Sequence, residues 1–158
     1  MKLRTTLGTC GAALTLALAG CGGSATGGDA PKTVEDKAAK LAADSSHAVV
    51  PVPGQSVEQT EWTKCSEETP GVHRFSYEYV LKLSVEKSGS QPVMDQEVAY
   101  WTKQGYTVQP TRSDNPTRQA YLPKDSDWSI GMGIDNDGLM FLTVSANCVH
   151  VSSDPKTG

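Results

Sequence analysis

No apolar run in this 158-residue chain approaches the ~18 to 20 residues that a transmembrane helix needs, so membrane association, if any, has to come from something other than a span. There is no G-x-S-x-G nucleophile elbow, no H-E-x-x-H zinc helix, no P-loop and no dinucleotide fingerprint, and the reactions those motifs serve lose their usual sequence support. Phenylalanine occurs only twice, against five Tyr and three Trp. Cysteine occurs four times without C-x-x-C spacing, a weak pattern for a metal. Charged residues make up 20% of the chain and the formal net charge is −4, a balance that does not suit nucleic acid or anionic lipid. The length is that of one domain with a modest core of its own, which argues against a multidomain enzyme.

What is present begins at the N-terminus. Lys2 and Arg4 form a short positive region, Leu7 to Ala19 a compact stretch of Leu, Ala, Gly and Thr, and the series Leu18, Ala19, Gly20, Cys21 closes it with small residues and a thiol. This is the pattern of a secretory signal, without the Arg pair of the twin-arginine route. Its end resembles the lipobox of bacterial lipoproteins. The resemblance implies a diacylglycerol thioether on Cys21, cleavage before that residue by signal peptidase II, and acylation, such as with palmitate, of the new amino group. Residues 1–20 are then the signal peptide, and two or more acyl chains give durable anchoring at ~0.8 kcal/mol per buried methylene. The other reading of the same residues is an ordinary cleaved signal in which Cys21 is incidental or joins a disulfide.

Loss of residues 1–20 removes Lys2 and Arg4 and no acid, leaving a formal charge of −6. Cys10 leaves with the signal and Cys21 goes to lipid, so Cys65 and Cys148 remain as the pair for a disulfide in an oxidising compartment. Two reduced thiols or a metal site are the alternatives. A bridge would close a loop of 83 residues, worth roughly 4.5 kcal/mol in the chain-entropy account.

Residues 21–31, rich in Gly, Ser and Thr, read as a flexible linker, and residues 32–153 as a single domain with 154–158 as a tail. Pro31 and Thr33 start a helix to about Ser46, with Val34, Ala38, Leu41 and Ala42 on one face. Residues 48–72, with Pro51, Pro53, Gly54, Pro70 and Gly71, read as a long loop holding at most a short strand at Glu58 to Lys64. From Arg74 to Glu86 the chain alternates: Phe75, Tyr77, Tyr79, Leu81, Leu83 and Val85 on one side, polar residues on the other, with Val80 the exception. Ser90 to Pro92 open a second helix. Met94, Val98 and Trp101 form its inward stripe, Asp95 and Glu97 lie toward its positive end, and Gly105 is its left-handed stop. Tyr106 to Gln109 and Gln119 to Leu122 can be strands. Trp128 to Ile134 and Leu139 to Val151 form a hairpin around Asp135, Asn136, Asp137 and Gly138. The expectation is α+β: a two-layer sandwich, an antiparallel sheet with about two helices on one face.

Ser84-Val85-Glu86-Lys87, Ser113-Asp114-Asn115 and Lys156-Thr157-Gly158 resemble, in order, the S-x-x-K, S-D-N and K-T-G signatures of serine β-lactamases and penicillin-binding proteins. Context argues against them. Ser84 falls on a strand where that family starts a helix, Lys156 to Gly158 are the last residues given, and Ser153 to Lys156 is a second, chance S-x-x-K. The acidic turn is not an EF-hand, because position one would be Gly133 and position twelve Val144. His47, His73 and His150 are isolated, though His73 and His150 approach each other if the first and last strands pair. Tyr77, Tyr79, Trp101 and Trp128 have core spacing. Trp62 and Tyr121, in loop-like surroundings, are the surface candidates for ligand contact.

In layout the domain resembles small actinobacterial lipoproteins of unknown function: linker, helix, Cys in a loop, helix with a Gly-aromatic end, hairpin, Cys near the C-terminus. That likeness carries over no functional residue. The reading is a membrane-anchored extracytoplasmic lipoprotein, a non-catalytic binding or accessory module of the cell envelope, held to the membrane through diacylglycerol on Cys21. An envelope protein is its expected partner, and no nucleic acid, cofactor or metal is expected. The rival is a small hydrolase-like envelope enzyme, which requires a pocket with titratable groups of perturbed pKa.

Overall fold

The computed structural model describes residues 28–49, 55–66, 71–110, 117–122 and 125–156, the side chains of His47, Val49 and Ser126 excepted. The expected signal peptide, Cys21 and most of the expected linker lie outside the described residues, as do Ser113-Asp114-Asn115, Thr157 and Gly158.

The fold is an α+β sandwich of two helices on a six-stranded antiparallel sheet. Helix α1 (Pro31–Val49) is followed by β1 (Ser56–Lys64), β2 (His73–Glu86), a 3-10 turn (Lys87–Gly89) and α2 (Ser90–Lys103). Then come β3 (Thr107–Val108), β4 (Arg118–Leu122), β5 (Asp125–Ile134) and β6 (Leu139–Val151). The strand order is β1-β2-β6-β5-β4-β3, so the last strand is inserted into the middle of the sheet.

Helix α1 buries Val34, Ala38, Ala42 and Ser45, a seam at helical spacing whose small side chains let the axis lie close to the sheet. It runs three residues past the expected end because no breaker intervenes until Pro51, whose ring disfavours helical geometry at Val50. Its Lys37 lies 4.1 Å from the centre of the Trp128 ring and 2.7 Å from Asp125 Oδ2, fastening α1 to β5. Helix α2 ends as expected. Gly105 has φ +79°, its N–H bonds to the Thr102 carbonyl and that of Tyr106 to the Trp101 carbonyl, a Schellman closure.

Three differences from the sequence reading have physical causes. β1 is nine residues long rather than a fragment in a loop; as an edge strand it is exposed almost throughout, so it lacks the alternation that marks a half-buried strand. The inward face of α2 is Ser90, Val93, Met94, Glu97 and Trp101, with Val98 only half-buried, so Glu97 lies inside and not on the surface. The chain is also bound to the sheet from Gly28, four residues before the expected domain start. Asp29 bridges Val151 in parallel, its N–H bonding to the His150 carbonyl and its carbonyl accepting from Ser152 N–H. A Cβ at Gly28 would lie 2.5 Å from the His150 carbonyl carbon, so only glycine allows this approach.

Cys65 and Cys148 form a disulfide, with their Cα atoms 5.8 Å apart. Cys148 is the extra residue of a bulge in β6, where the register against β2 shifts between Phe75 and Tyr77, and its φ of +50° is left-handed. β2 stabilises this conformation with side chains: Ser76 Oγ accepts the Cys148 N–H at 3.1 Å, and Arg74 Nε donates to the Cys148 carbonyl at 3.1 Å. Ser76→Ala leaves that N–H without its partner and is expected to cost about 1–3 kcal/mol in urea unfolding, in reducing and non-reducing buffer alike. Cys65→Ser is expected to cost about 4.5 kcal/mol in non-reducing buffer only. Equal midpoints for wild type and Cys65→Ser in non-reducing buffer would contradict the bridge.

Candidate functional site

The alternation of the strands divides the sheet into two faces. Phe75, Tyr77, Leu81, Leu83, Trp128, Ile130, Met132, Met140, Leu142, Val144 and Ala146 face the helices and are buried. On the other face no described residue packs above the strands.

The strand registers assemble that second face in rows. Glu61, Glu78, Ser145, Ser129 and Tyr121 lie side by side across five strands. The next row is Gln59, Val80, Thr143, Gly131 and Gln119, and beyond it come Lys82, Phe141 and Gly133. Small side chains in the middle of taller neighbours make a groove. Its larger section, about 210 Å³, has Ser129, Gly131, Thr143 and Ser145 as floor, with Thr117, Gln119 and Phe141 around them. A smaller section of about 90 Å³ lies toward β1 among Glu61, Thr63, Ser76, Glu78 and Asn147. Ser145 borders both.

Phe141 owes its place to Gly133, the residue opposite it on β5. A Cβ at Gly133 would come within 2.7 Å of the ring and 3.2 Å of Thr117 Oγ1, so the bare backbone is what lets the ring lie down on the sheet. Among the described residues, the larger section is therefore lined by hydroxyl, amide, peptide and one aromatic ring, with no charged side chain. At the turn end of the same face, Lys82 Nζ lies 3.4 Å from Glu58 and from Asp135, and 4.0 Å from Asp137. The contact with Asp135 leads in raising the Lys82 pKa, while the Leu139 N–H leads in lowering that of Asp135. The acidic turn is thus a hairpin closure, with Asp135 Oδ1 accepting the Leu139 N–H at 2.9 Å and Gly138 at φ +78°.

The two surface aromatics separate. Tyr121 stands on β4, half-buried, beside Ser129 on the groove face. Trp62 is on β1 and turns to the helix side, its indole donating to Glu35 Oε1 at 3.1 Å, with Tyr77 4.6 Å and Phe75 6.3 Å from its ring centre. Trp62 is therefore a bracket between β1 and α1, and neither residue is in a loop. His73 is opposite Val151 and His150 opposite Arg74, so the two histidine positions fall on opposite faces; the side chain of His47 lies outside the described residues. Among the described residues no group of three or more His, Cys, Asp or Glu could hold a metal. Ser84 lies on the exposed side of β2 and Lys87 in the 3-10 turn, so the helical spacing of an S-x-x-K nucleophile is not formed.

No protein-family model, curated protein or solved structure matches the chain.

Gly133→Ala is expected to lift the Phe141 ring off the sheet at a cost of about 1–3 kcal/mol. The Phe141 ring proton shifts should change while those of the Trp101 indole, on the far face, stay in place. Unchanged Phe141 shifts would contradict this account of the groove.

Proposed function

We propose that this chain is an extracytoplasmic lipoprotein, anchored through diacylglycerol on Cys21, whose domain acts by binding a neutral, saccharide-like ligand on the sheet face opposite the helices. The neutral larger groove carries the binding part of this reading. The chain has 18 acids against 14 Lys and Arg, yet the lining there offers hydroxyls, an amide, open peptide and a flat aromatic ring. Sugars present the complement, hydroxyls at the rim and C–H groups on the ring face. Binding is favoured over hydrolysis because, among the described residues, the one carboxyl with a large upward shift, Glu97, is sealed on the helix side of the sheet, away from both grooves.

The anchor reading rests on the order of basic residues, apolar run, small residues and Cys21. Six residues lie between Cys21 and Gly28, where the chain joins β6, and the seven steps across them reach at most about 25 Å. The end of the sheet bearing the disulfide and His150 would then be near the membrane, and the turn at Asp135–Gly138 roughly 40 Å farther out at strand rise.

Each part has its own test. Cys21→Ala is expected to abolish incorporation of labelled palmitate, to leave an unprocessed or differently cut precursor and to release the cleaved protein from the membrane; a variant processed and retained as before sinks the anchor. For the ligand, chitotetraose and maltotetraose are titrated against the soluble domain with amide shifts as readout. Shifts confined to Gln119, Gly131, Thr143 and Ser145, weakened at least tenfold by Phe141→Ala, are the expected result. No shift with either sugar sinks the saccharide reading and leaves the anchor untouched.

A further inference from the structure

Glu97 is the unusual residue of the helical layer. It is fully buried, and neither carboxylate oxygen has a hydrogen-bond partner of good geometry. Its polar neighbours are Ser45 of α1 and Trp101 one turn along α2, and these are engaged with each other, Trp101 Nε1 donating to Ser45 Oγ at 3.2 Å. An ionised carboxyl in such a place costs far more than a neutral one.

We propose that Glu97 is a protonation-operated latch between α1 and α2: neutral, its carboxyl closes the seam, and ionised, it draws α2 away from α1 toward water while the central strands stay paired. The groups around it leave its charge unbalanced. Lys40 of α1 is held by Asp44 at 2.6 Å, Tyr100 and Tyr106 sense the Glu97 charge as like-signed neighbours, and Arg118, on the helix side of β4, is not among the groups that shift it. Burial, first, raises the Glu97 pKa to about 7, and Ser45 and Trp101 draw it down slightly.

The topology makes α2 the part that moves. Helix α1 is fixed at its start to β6 through Asp29 and along its length through Lys37, whereas α2 lies over the two-residue β3 and the five-residue β4 at the sheet edge. The disulfide ties β1 to β6 and crosses neither helix.

The direction follows from the two protonation states. Opened, the carboxyl returns to its ordinary value near 4.5; closed, it holds its proton to about 7. The closed seam is therefore strongest below pH 4.5, weakens about tenfold per pH unit up to 7, and levels off above, a total on the order of 300-fold.

Amide hydrogen exchange, corrected for the intrinsic pH dependence, is measured at pH 4.5 and 8 on the whole domain. Opening of α2 is expected to rise roughly a hundredfold while the Leu142 and Val144 amides of β6 change far less, and the Glu97 carboxyl carbon should titrate near 7. Glu97→Gln is expected to keep α2 closed at both pH values. Ser45→Ala, which removes a group that favours the ionised form, should move the midpoint upward, and serves if Glu97→Gln folds poorly. Equal loss of protection in α2 and β6, a pH response that survives Glu97→Gln, or a Glu97 midpoint near 4.5 overturns the latch.

Discussion

The insertion of β6 between β2 and β5 is the constraint on which the rest of the domain depends. Its partners are His73–Glu86, made long before it, and Asp125–Ile134, made just before it. Until β6 is in place, β1 and β2 are a hairpin with no partner on their inner edge, and α1 has only part of its floor, the part that β2 supplies. Pairing at this sequence separation carries a loop-closure cost ahead of any gain, which is slow and leaves strand edges open meanwhile. The devices at the end of β6 all address this one problem. The disulfide shortens the search in the unfolded chain, Ser76 and Arg74 satisfy the backbone of the bulged Cys148, and Asp29 adds a further rung at Val151. A left-handed non-glycine residue costs about 1–2 kcal/mol, and here the bulge re-aims the strand so that its sulfur meets that of Cys65.

Because side chains alternate, the strands that carry the core also compose the opposite face. Met140, Leu142, Val144 and Ala146 commit β6 to the helices, and by the same backbone Phe141, Thr143 and Ser145 are committed to the groove. The two aromatics that the sequence offered as surface candidates illustrate how strict this is. Trp62 falls on the helix side of β1 and is absorbed by Tyr77, Phe75 and Glu35, while Tyr121 falls on the groove side of β4. Strand parity, not residue type, separates a bracket from a surface.

Much of the architecture was legible in the residues. β2, β5 and β6 alternate because one side of each is buried, and Gly105 and Gly138 stand where the chain needs positive φ. β1 was nearly illegible for the converse reason, since an exposed edge strand is under no demand to alternate. Glu97 is more instructive. The sequence reading set it only toward the positive end of α2 and left it out of the inward stripe, although its spacing from Ser90, Val93, Met94 and Trp101 is that of the buried face. A charged residue at such a position is expected where a buried group does something other than pack. The groove could not be read at all, because Ser145, Ser129 and Gln119 become neighbours only through the register of three strands.

The groove and the carboxyl lie on opposite sides of a sheet one residue thick, and β4 belongs to both. Ala120 is buried under the helices, while Gln119, next to it, lines the groove and Tyr121 continues the same face. β4 is held on one side by β5 and on the other, among the described residues, by the two residues of β3 and by the Gln109 N–H, which bonds to the Gln119 carbonyl at 2.8 Å; three residues separate β3 from the end of α2. On the proposed latch, a shift of α2 therefore reaches the groove through the position of β4, with no rearrangement of β2, β6 or the disulfide. That route makes a definite distinction among groove residues. Ligand contacts at Gln119 would weaken with rising pH as the seam opens, whereas contacts at Thr143 and Ser145, on the central strand, would keep their strength. On the proposed location outside the membrane, the domain has no cytoplasm to buffer its surroundings, and a proton-sensitive support beneath one wall of the proposed binding face would couple what it holds to the acidity it meets.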